Sequence, residues 1–237
     1  MKNIIKNETW VFIPARSGSK SIKNKNIIKY KKKPLIYYTI KDALKLTKTT
    51  KVKQIIFSSD SKKYLSIAKA CGVQNLHLRK KKYAKDKTKD LDVFRSYLQE
   101  LIKANVSLPE FFIHLRPTTP IRNVLILKKA INFFYKNKSS FTSMRSVSLM
   151  SNTAYKTFRI VNNKLCSLFK IDFSLDKYNN PRQSFPKTYM PNGYIDIVKT
   201  KYILKNIFHG PRVMPYLISE NVIDIDNTND YERLKND

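Results

Sequence analysis

Acids are scarce in this chain, 17 among 237 residues, yet Asp224, Asp226 and Asp230 fall within seven positions. In an extended strand, residues 224 and 226 project from the same face, so both carboxylates can reach one hard cation. Asp230 belongs instead to the first turn of the final helix, in a capping or dipole role. The alternative for the pair is an exposed strand end, which leaves two close carboxylates without evident purpose. Far upstream, Arg16, Ser17, Gly18, Ser19, Lys20, Lys25 and Asn26 follow directly on the apolar stretch WVFIP. Small residues let backbone N–H groups approach phosphate oxygens, while Arg and Lys neutralise their charge. The spacing is not G-x-x-x-x-G-K-[ST]. A Lys-rich surface turn is the alternative. Against it stands glycine usage: the chain has four, and one is kept at position 18, where the backbone is expected to need it.

Other candidates lie between these two clusters. In HLRPTTPIR (114–122), Pro117 and Pro120 fix a loop that offers the hydroxyls of Thr118 and Thr119 and the cations Arg116 and Arg122. Asp60 follows a second apolar stretch, where it either binds a ligand hydroxyl or caps a helix. His77, His114 and His209 have no metal-ligand spacing, and His114 alternates with Phe and Leu as a buried strand residue does. Cys71 and Cys166 form neither a disulfide framework nor a zinc pair and read as small core residues.

Elements to position these residues are legible in the hydrophobic pattern. Strands are expected at 10–14, 54–59, 76–78 and 111–115. Helices are expected from Pro34 as first helical residue, from Asp60/Ser61 to Ala70 with Gly72 as the stop, through Leu91–Ile102, and over 123–137. Repeated β-α-β units imply an α/β protein with a mostly parallel sheet and helices on both faces. Residues 140–171 read as strands with an Asn162–Asn163 hairpin turn. They are followed by a polar, proline-bearing stretch to 192, strand 194–198, helix 199–207, strand 222–226 and a last short helix. No repeat or linker interrupts the chain, so one domain over 1–237 with an inserted β-rich arm at 140–192 is expected. Ligands bind beyond the carboxyl ends of parallel strands. Residues 15–26, 59–60 and 116–122 all occupy such ends.

Composition narrows the partners. At 42% hydrophobic and 12% aromatic the chain is no disordered segment. It shows neither a membrane-spanning apolar run nor a signal-peptide core, so a cytoplasmic protein with no membrane partner is expected. The net charge of +30 invites a nucleic-acid reading. Only ten of the 47 basic residues are Arg, however, and the lysines are spread evenly among Asn, Ile, Tyr and Phe. That is the signature of AT-rich coding rather than of a nucleic-acid patch, which gathers Arg and aromatics locally. A triphosphate is a polyanion too.

IPARSGSKSIKNKN (13–26) resembles the signature of the acylneuraminate cytidylyltransferases, the CMP-sialic acid synthetase family. HLRPTTPIR resembles its second motif, RQSFPKTYMPNGYIDI (182–197) its third, and IDIDNTNDYERL (223–234) its last. Ser19-Lys20 followed by Lys25-Asn26 is the sialate-type pattern, not the S-x-R-L-P-G-K form of KDO cytidylyltransferases. The resemblance implies a Rossmann-like nucleotidyltransferase fold, and a homodimer whose 140–192 arm reaches the partner's site. It implies transfer of CMP from CTP to the anomeric hydroxyl of a nonulosonic, nine-carbon α-keto acid sugar, releasing pyrophosphate, usually with Mg²⁺.

By motif position, Arg16, Lys20 and Asp226 are the catalytic set. Arg16, Ser17, Gly18, Ser19, Lys20, Lys25, Asn26, Asp60, Thr118 and Arg122 bind the nucleotide. Arg116, Arg182, Gln183, Tyr189 and Asn192 bind the sugar, and Asp224 and Asp226 the metal. Arg116 departs from the family's commoner Gln: it cannot ligate a metal, but suits a phosphate or the sugar's carboxylate. The rivals are a KDO or amino-KDO substrate and, from another class, a basic nucleotide- or RNA-binding protein on a decayed scaffold. The intact aspartate pair argues against decay.

Overall fold

The computed structural model describes residues 5–169 and 175–236. In chain order the elements are β1 (Ile5–Pro14), β2 (Lys29–Tyr30), β3 (Lys33–Pro34), α1 (Leu35–Thr49), β4 (Val52–Ser59), α2 (Lys62–Ala70), β5 (Asn75–Leu78), α3 (Asp90–Lys103), β6 (Leu108–His114), α4 (Val124–Asn137), β7 (Ser143–Leu149), β8 (Phe158–Val161), β9 (Lys164–Ser167), β10 (Tyr189–Lys199), α5 (Thr200–Leu204), β11 (Val213–Leu217) and α6 (Thr228–Lys235). Seven strands make the main sheet in the order β11-β7-β10-β6-β1-β4-β5. All its pairings are parallel except the two made by β10, which runs against both β6 and β7.

Strand alternation divides the core. Val11, Ile13 and Ala15 turn to one face with Phe57, Phe111 and Ile113, where α1, α2 and α4 cover them. Trp10, Phe12, Ile56 and Phe112 turn to the other and meet Phe94 and Leu98 of α3 and Ile203 of α5. Phe12, Phe94 and Phe112 are wholly buried, and each such ring contributes about 1.5–3 kcal/mol through removal from water. The expected α/β architecture, parallel sheet and two covered faces are therefore present.

Four expectations change. Pro34 is the residue before α1 rather than its first helical position, because it also closes the small β2–β3 ladder. Residues 222–226 are extended but join no ladder; Ile223 and Ile225 are buried against Tyr30, Leu35 and Leu234, and the Ile225 N–H donates to the Thr118 carbonyl at 2.8 Å. The edge strand β11 was not expected, since Pro215 interrupts its apolar run. Finally, β7 lies inside the main sheet and β10 joins it from Tyr189, so of the stretch 140–192 expected as an arm only about 150–188 lies outside that sheet. There the β8–β9 hairpin turns at Asn162 and Asn163, both left-handed at φ 48° and 59°, as that dipeptide favours. Residues 170–174 of the expected arm lie outside the described residues.

Candidate functional site

The carboxyl ends of β1, β4, β5 and β6 share one edge of the sheet, and a cavity of about 290 Å³ opens there. Arg16, Ser19, Lys25, Asn26, Arg116, Thr118 and Asp226 line it, drawn from the first, middle and last motifs. After β1 the chain is braced rather than loose. Buried Asn26 donates from Nδ2 to the Arg16 carbonyl at 2.9 Å. Asp60 accepts from the Ser17 N–H at 2.9 Å and from the Ser17 hydroxyl at 2.7 Å. Burial alone would raise the Asp60 carboxyl's pKa, but the Ser17 bonds outweigh it and hold it below its ordinary range. Ser61, not Asp60, caps α2. Asp60 thus buckles the loop from behind, and Ser17 is spent on that bond.

Gly18 is not required by the backbone. Its φ is not positive, and an added Cβ would meet nothing within 4 Å, so open space lies above it. Beside the acidic segment, a glycine that the geometry does require is Gly193. Its φ is +69°, and an added Cβ would lie 2.7 Å from Thr119 Oγ1 and 2.8 Å from Asp224 Oδ2.

The acidic segment is positioned by α6. Asn227 and Asp230 form a reciprocal capping box, and Asp230 Oδ2 also accepts from the Asp226 N–H at 2.9 Å, which pins the backbone there. Asp226 lines the cavity, and its Oδ1 lies 3.3 Å from Lys25 Nζ, which also donates to the Ile225 carbonyl at 2.7 Å. Asp224 turns toward Thr119, whose hydroxyl donates to it at 3.2 Å. Among the described residues no three His, Cys, Asp or Glu gather to hold a metal. Of the pair, Asp226 alone lines the cavity, and one carboxylate there fits a Mg²⁺ that keeps water and substrate phosphates as its remaining ligands.

Arg122 is not available to an anion in the way the sequence suggested. It is 8% exposed, and it donates to the carbonyls of Tyr194 at 2.7 Å, Arg116 at 2.7 Å and Gly193 at 3.3 Å, and to Thr39 Oγ1 at 3.2 Å. It is a strut under the loop after β6, and burial lowers its pKa to about 10. Arg116 reaches the cavity, but its guanidinium bridges Asp196 at 2.8 Å and Asp90 at 3.0 Å. Behind them His114 is wholly buried; burial first, then Arg116, lowers its pKa to about 4, so it is neutral.

The remaining sugar-side candidates do not join this cavity. Arg182 and Gln183 line a separate hollow of about 380 Å³ with Met150 and Phe185, and Arg182 donates to the Met150 carbonyl at 2.9 Å. Tyr189 is 48% exposed at the start of β10. Asn192 is buried, bonded to Ser146, Ser148 and the Tyr194 N–H. A Ser58–His77–Glu100 string (2.9 and 3.2 Å) has the residue types of a hydrolytic triad, but Ser58 is wholly buried, and burial lowers the His77 pKa.

Sequence reading missed one wall. Arg79, Tyr83, Lys85, Thr88 and Asp90 line the cavity from the loop after β5, a fourth strand end of the same kind as the three that were recognised.

A mostly parallel sheet with a basic cavity across its strand ends defines an open α/β protein, and solved structures share its fold. A CMP-2-keto-3-deoxy-manno-octonic acid synthetase superposes with a TM-score of 0.67 at 14% identity, covering 97% of each chain. A 4-diphosphocytidyl-2C-methyl-D-erythritol synthase from Anaerococcus prevotii does so with 0.61 at 12%, also covering 97% of each. These share the nucleotidyltransferase fold. The cytidylyltransferase family profile matches residues 10–162, and the chain belongs to that family. An N-acylneuraminate cytidylyltransferase of Escherichia coli is 34% identical over 226 residues, 93% of this chain and 49% of that protein. A pseudaminic acid cytidylyltransferase of Campylobacter jejuni is 27% identical over 225 residues, 94% and 93%. The chain thus spans about half the length of the first and nearly all of the second.

Proposed function

We propose that this chain is a Mg²⁺-dependent cytidylyltransferase that activates a nonulosonic, sialic-acid-like sugar. The carrying observation is the strand-end cavity, in which Arg16, Ser19, Lys25 and Asn26 face Asp226 in a chain of the cytidylyltransferase family. Relatives named for acylneuraminate and pseudaminic acid support the substrate class.

In this reading the anomeric hydroxyl oxygen attacks the α-phosphorus of CTP. The new O–P bond forms as the bond to the bridging α–β oxygen breaks, pyrophosphate leaves with that oxygen, and the hydroxyl proton passes to solvent water. Arg16, Ser19 and Lys20 hold the triphosphate, and Lys25 and Asn26 stand on the nucleotide side. Asp60 keeps the loop in place through Ser17. Asp226 holds the cation, which when bound neutralises charge on the phosphates. Lys25, hydrogen-bonded beside Asp226, balances that carboxylate when the cation is away. Arg116, already neutralised by Asp90 and Asp196, offers directed N–H donors to the sugar rather than surplus charge. Arg182, Gln183 and Tyr189 lie on or beside the arm and would serve the active site of a second copy in a homodimer.

Pyrophosphate release from CTP with N-acetylneuraminate, legionaminate, pseudaminate and KDO tests the reading. Release with CTP and one nonulosonate is expected. Release with KDO alone would overturn the sugar class, and silence across the panel would overturn the reading in favour of a binding protein.

A further inference from the structure

The lysine-rich strap between β5 and α3 has no part in the mechanism above. It leaves β5 at Arg79, makes a single 3-10 turn at Lys81–Tyr83 and enters α3 at Asp90. Along the way Arg79, Tyr83, Lys85 and Thr88 line the cavity, as do Arg16, Ser19, Lys25 and Asn26 of the loop that follows β1. Residues 80–89 hold six lysines and one acid, Asp86. That acid fastens the two walls together: Oδ1 accepts from Arg16 NH1, and Oδ2 lies 2.9 Å from Lys20 Nζ.

One carboxylate oxygen on each of two cations is how a phosphate bridging them would sit. Stability does not account for the arrangement. The side chains of Arg16, Asp86 and Lys20 are 32%, 33% and 87% exposed, and ion pairs so open to water contribute little to folding. Nor does the strap lack lysines with which to meet the cavity. A carboxylate kept among them, on the two residues assigned to the triphosphate, has the chemistry of a competitor.

We propose that Asp86 is a built-in stand-in for the triphosphate, displaced from Arg16 and Lys20 when the nucleotide binds, so that it sets nucleotide affinity and gates the strap. The proposal rests on the reading of Arg16 and Lys20 as triphosphate ligands. An arriving triphosphate puts like charge against Asp86 and takes over both cations. The strap then loses its fastening, and Lys85, already on the cavity wall, is left facing the phosphate chain.

Calorimetric titration of CTP into the full chain, without sugar acceptor, tests this with wild type, Asp86→Asn and Arg16→Ala. Asp86→Asn should bind CTP more tightly by about 3- to 10-fold, the range expected for removing an exposed charged competitor. Its KM for CTP should fall while kcat does not rise, a split that a merely structural residue would not give. Hydrogen exchange supplies a readout independent of turnover: amides 80–89 should exchange faster on saturation with CTP and in free Asp86→Asn. Equal or weaker CTP binding by Asp86→Asn, or strap amides that CTP leaves unchanged, would overturn the gate. Arg16→Ala separates the two ideas. If it loses CTP while Asp86→Asn behaves as wild type, the triphosphate reading stands and the gate alone falls. If Arg16→Ala binds CTP normally, the triphosphate reading itself fails.

Discussion

Asp42 sits on α1 at 8% exposure, on the side where Arg122 supports the loop after β6, and burial raises its pKa to about 6 despite Arg122 and Lys45. An unfolded Asp titrates near 3.9. Between about pH 4 and 6 the folded state therefore holds the proton more tightly, and stability falls as pH rises through that window. Above pH 6 the whole cost of the buried charge is present. Asp42→Asn should stabilise the chain by about 1–2 kcal/mol at pH 8 and by almost nothing at pH 4, measured by urea unfolding at both. An equal effect at the two pH values would contradict this origin. At this scale the sequence was legible where a residue acts on its own backbone: Asp230 caps α6 as its position implied. It was illegible where a distant carbonyl decides the role. Nothing in PTTPIR tells that the Arg122 guanidinium is consumed by residues 193–194, and glycine scarcity drew attention to Gly18, which the backbone can spare, rather than to Gly193, which it cannot.

The β8–β9 hairpin is the element least able to stand alone. It is a two-stranded sheet with Ile160, Leu165 and Phe158 at 74%, 55% and 41% exposure, and such a hairpin is marginal in water without a surface to cover it. A second copy of the chain is the proposed cover. Ile160→Lys should then move the protein from dimer to monomer in sedimentation at micromolar concentration while leaving its far-UV spectrum unchanged. A wild-type monomer, or a variant that stays dimeric, would contradict that assignment. Strands 10–14, 54–59 and 111–115 were readable because both faces of a central parallel strand are buried, giving short unbroken apolar runs. Edges and lone segments were not. β11 carries Pro215, tolerated only because an edge strand can spare one N–H, and 222–226 has strand-like alternation without a partner. The loop after β5 was passed over because its lysines looked like solvated surface, whereas its register beside β4 brings it to the cavity.

Across the whole molecule the charge of +30 is diffuse, but the cavity is where it concentrates to effect. Arg16, Lys25, Arg79, Lys85 and Arg116 line it against two carboxylates, Asp90 and Asp226. Low-dielectric walls focus such an excess on a small polyanion, so the proposed triphosphate site does not need the rest of the surface to bind a polymer. The fold supplies this by bringing four parallel strand ends to one edge and laying the C-terminal acids across them through Ile225 and the α6 capping box. The most direct test of the account is therefore the acid at the centre of that convergence. Pyrophosphate release from CTP with Mg²⁺ and the preferred sugar acid should be compared between wild type and Asp226→Asn. Loss of the carboxylate should lower kcat by at least ~100-fold, the scale of losing one preorganised electrostatic contact to the transition state. Near-normal turnover in Asp226→Asn would contradict the account.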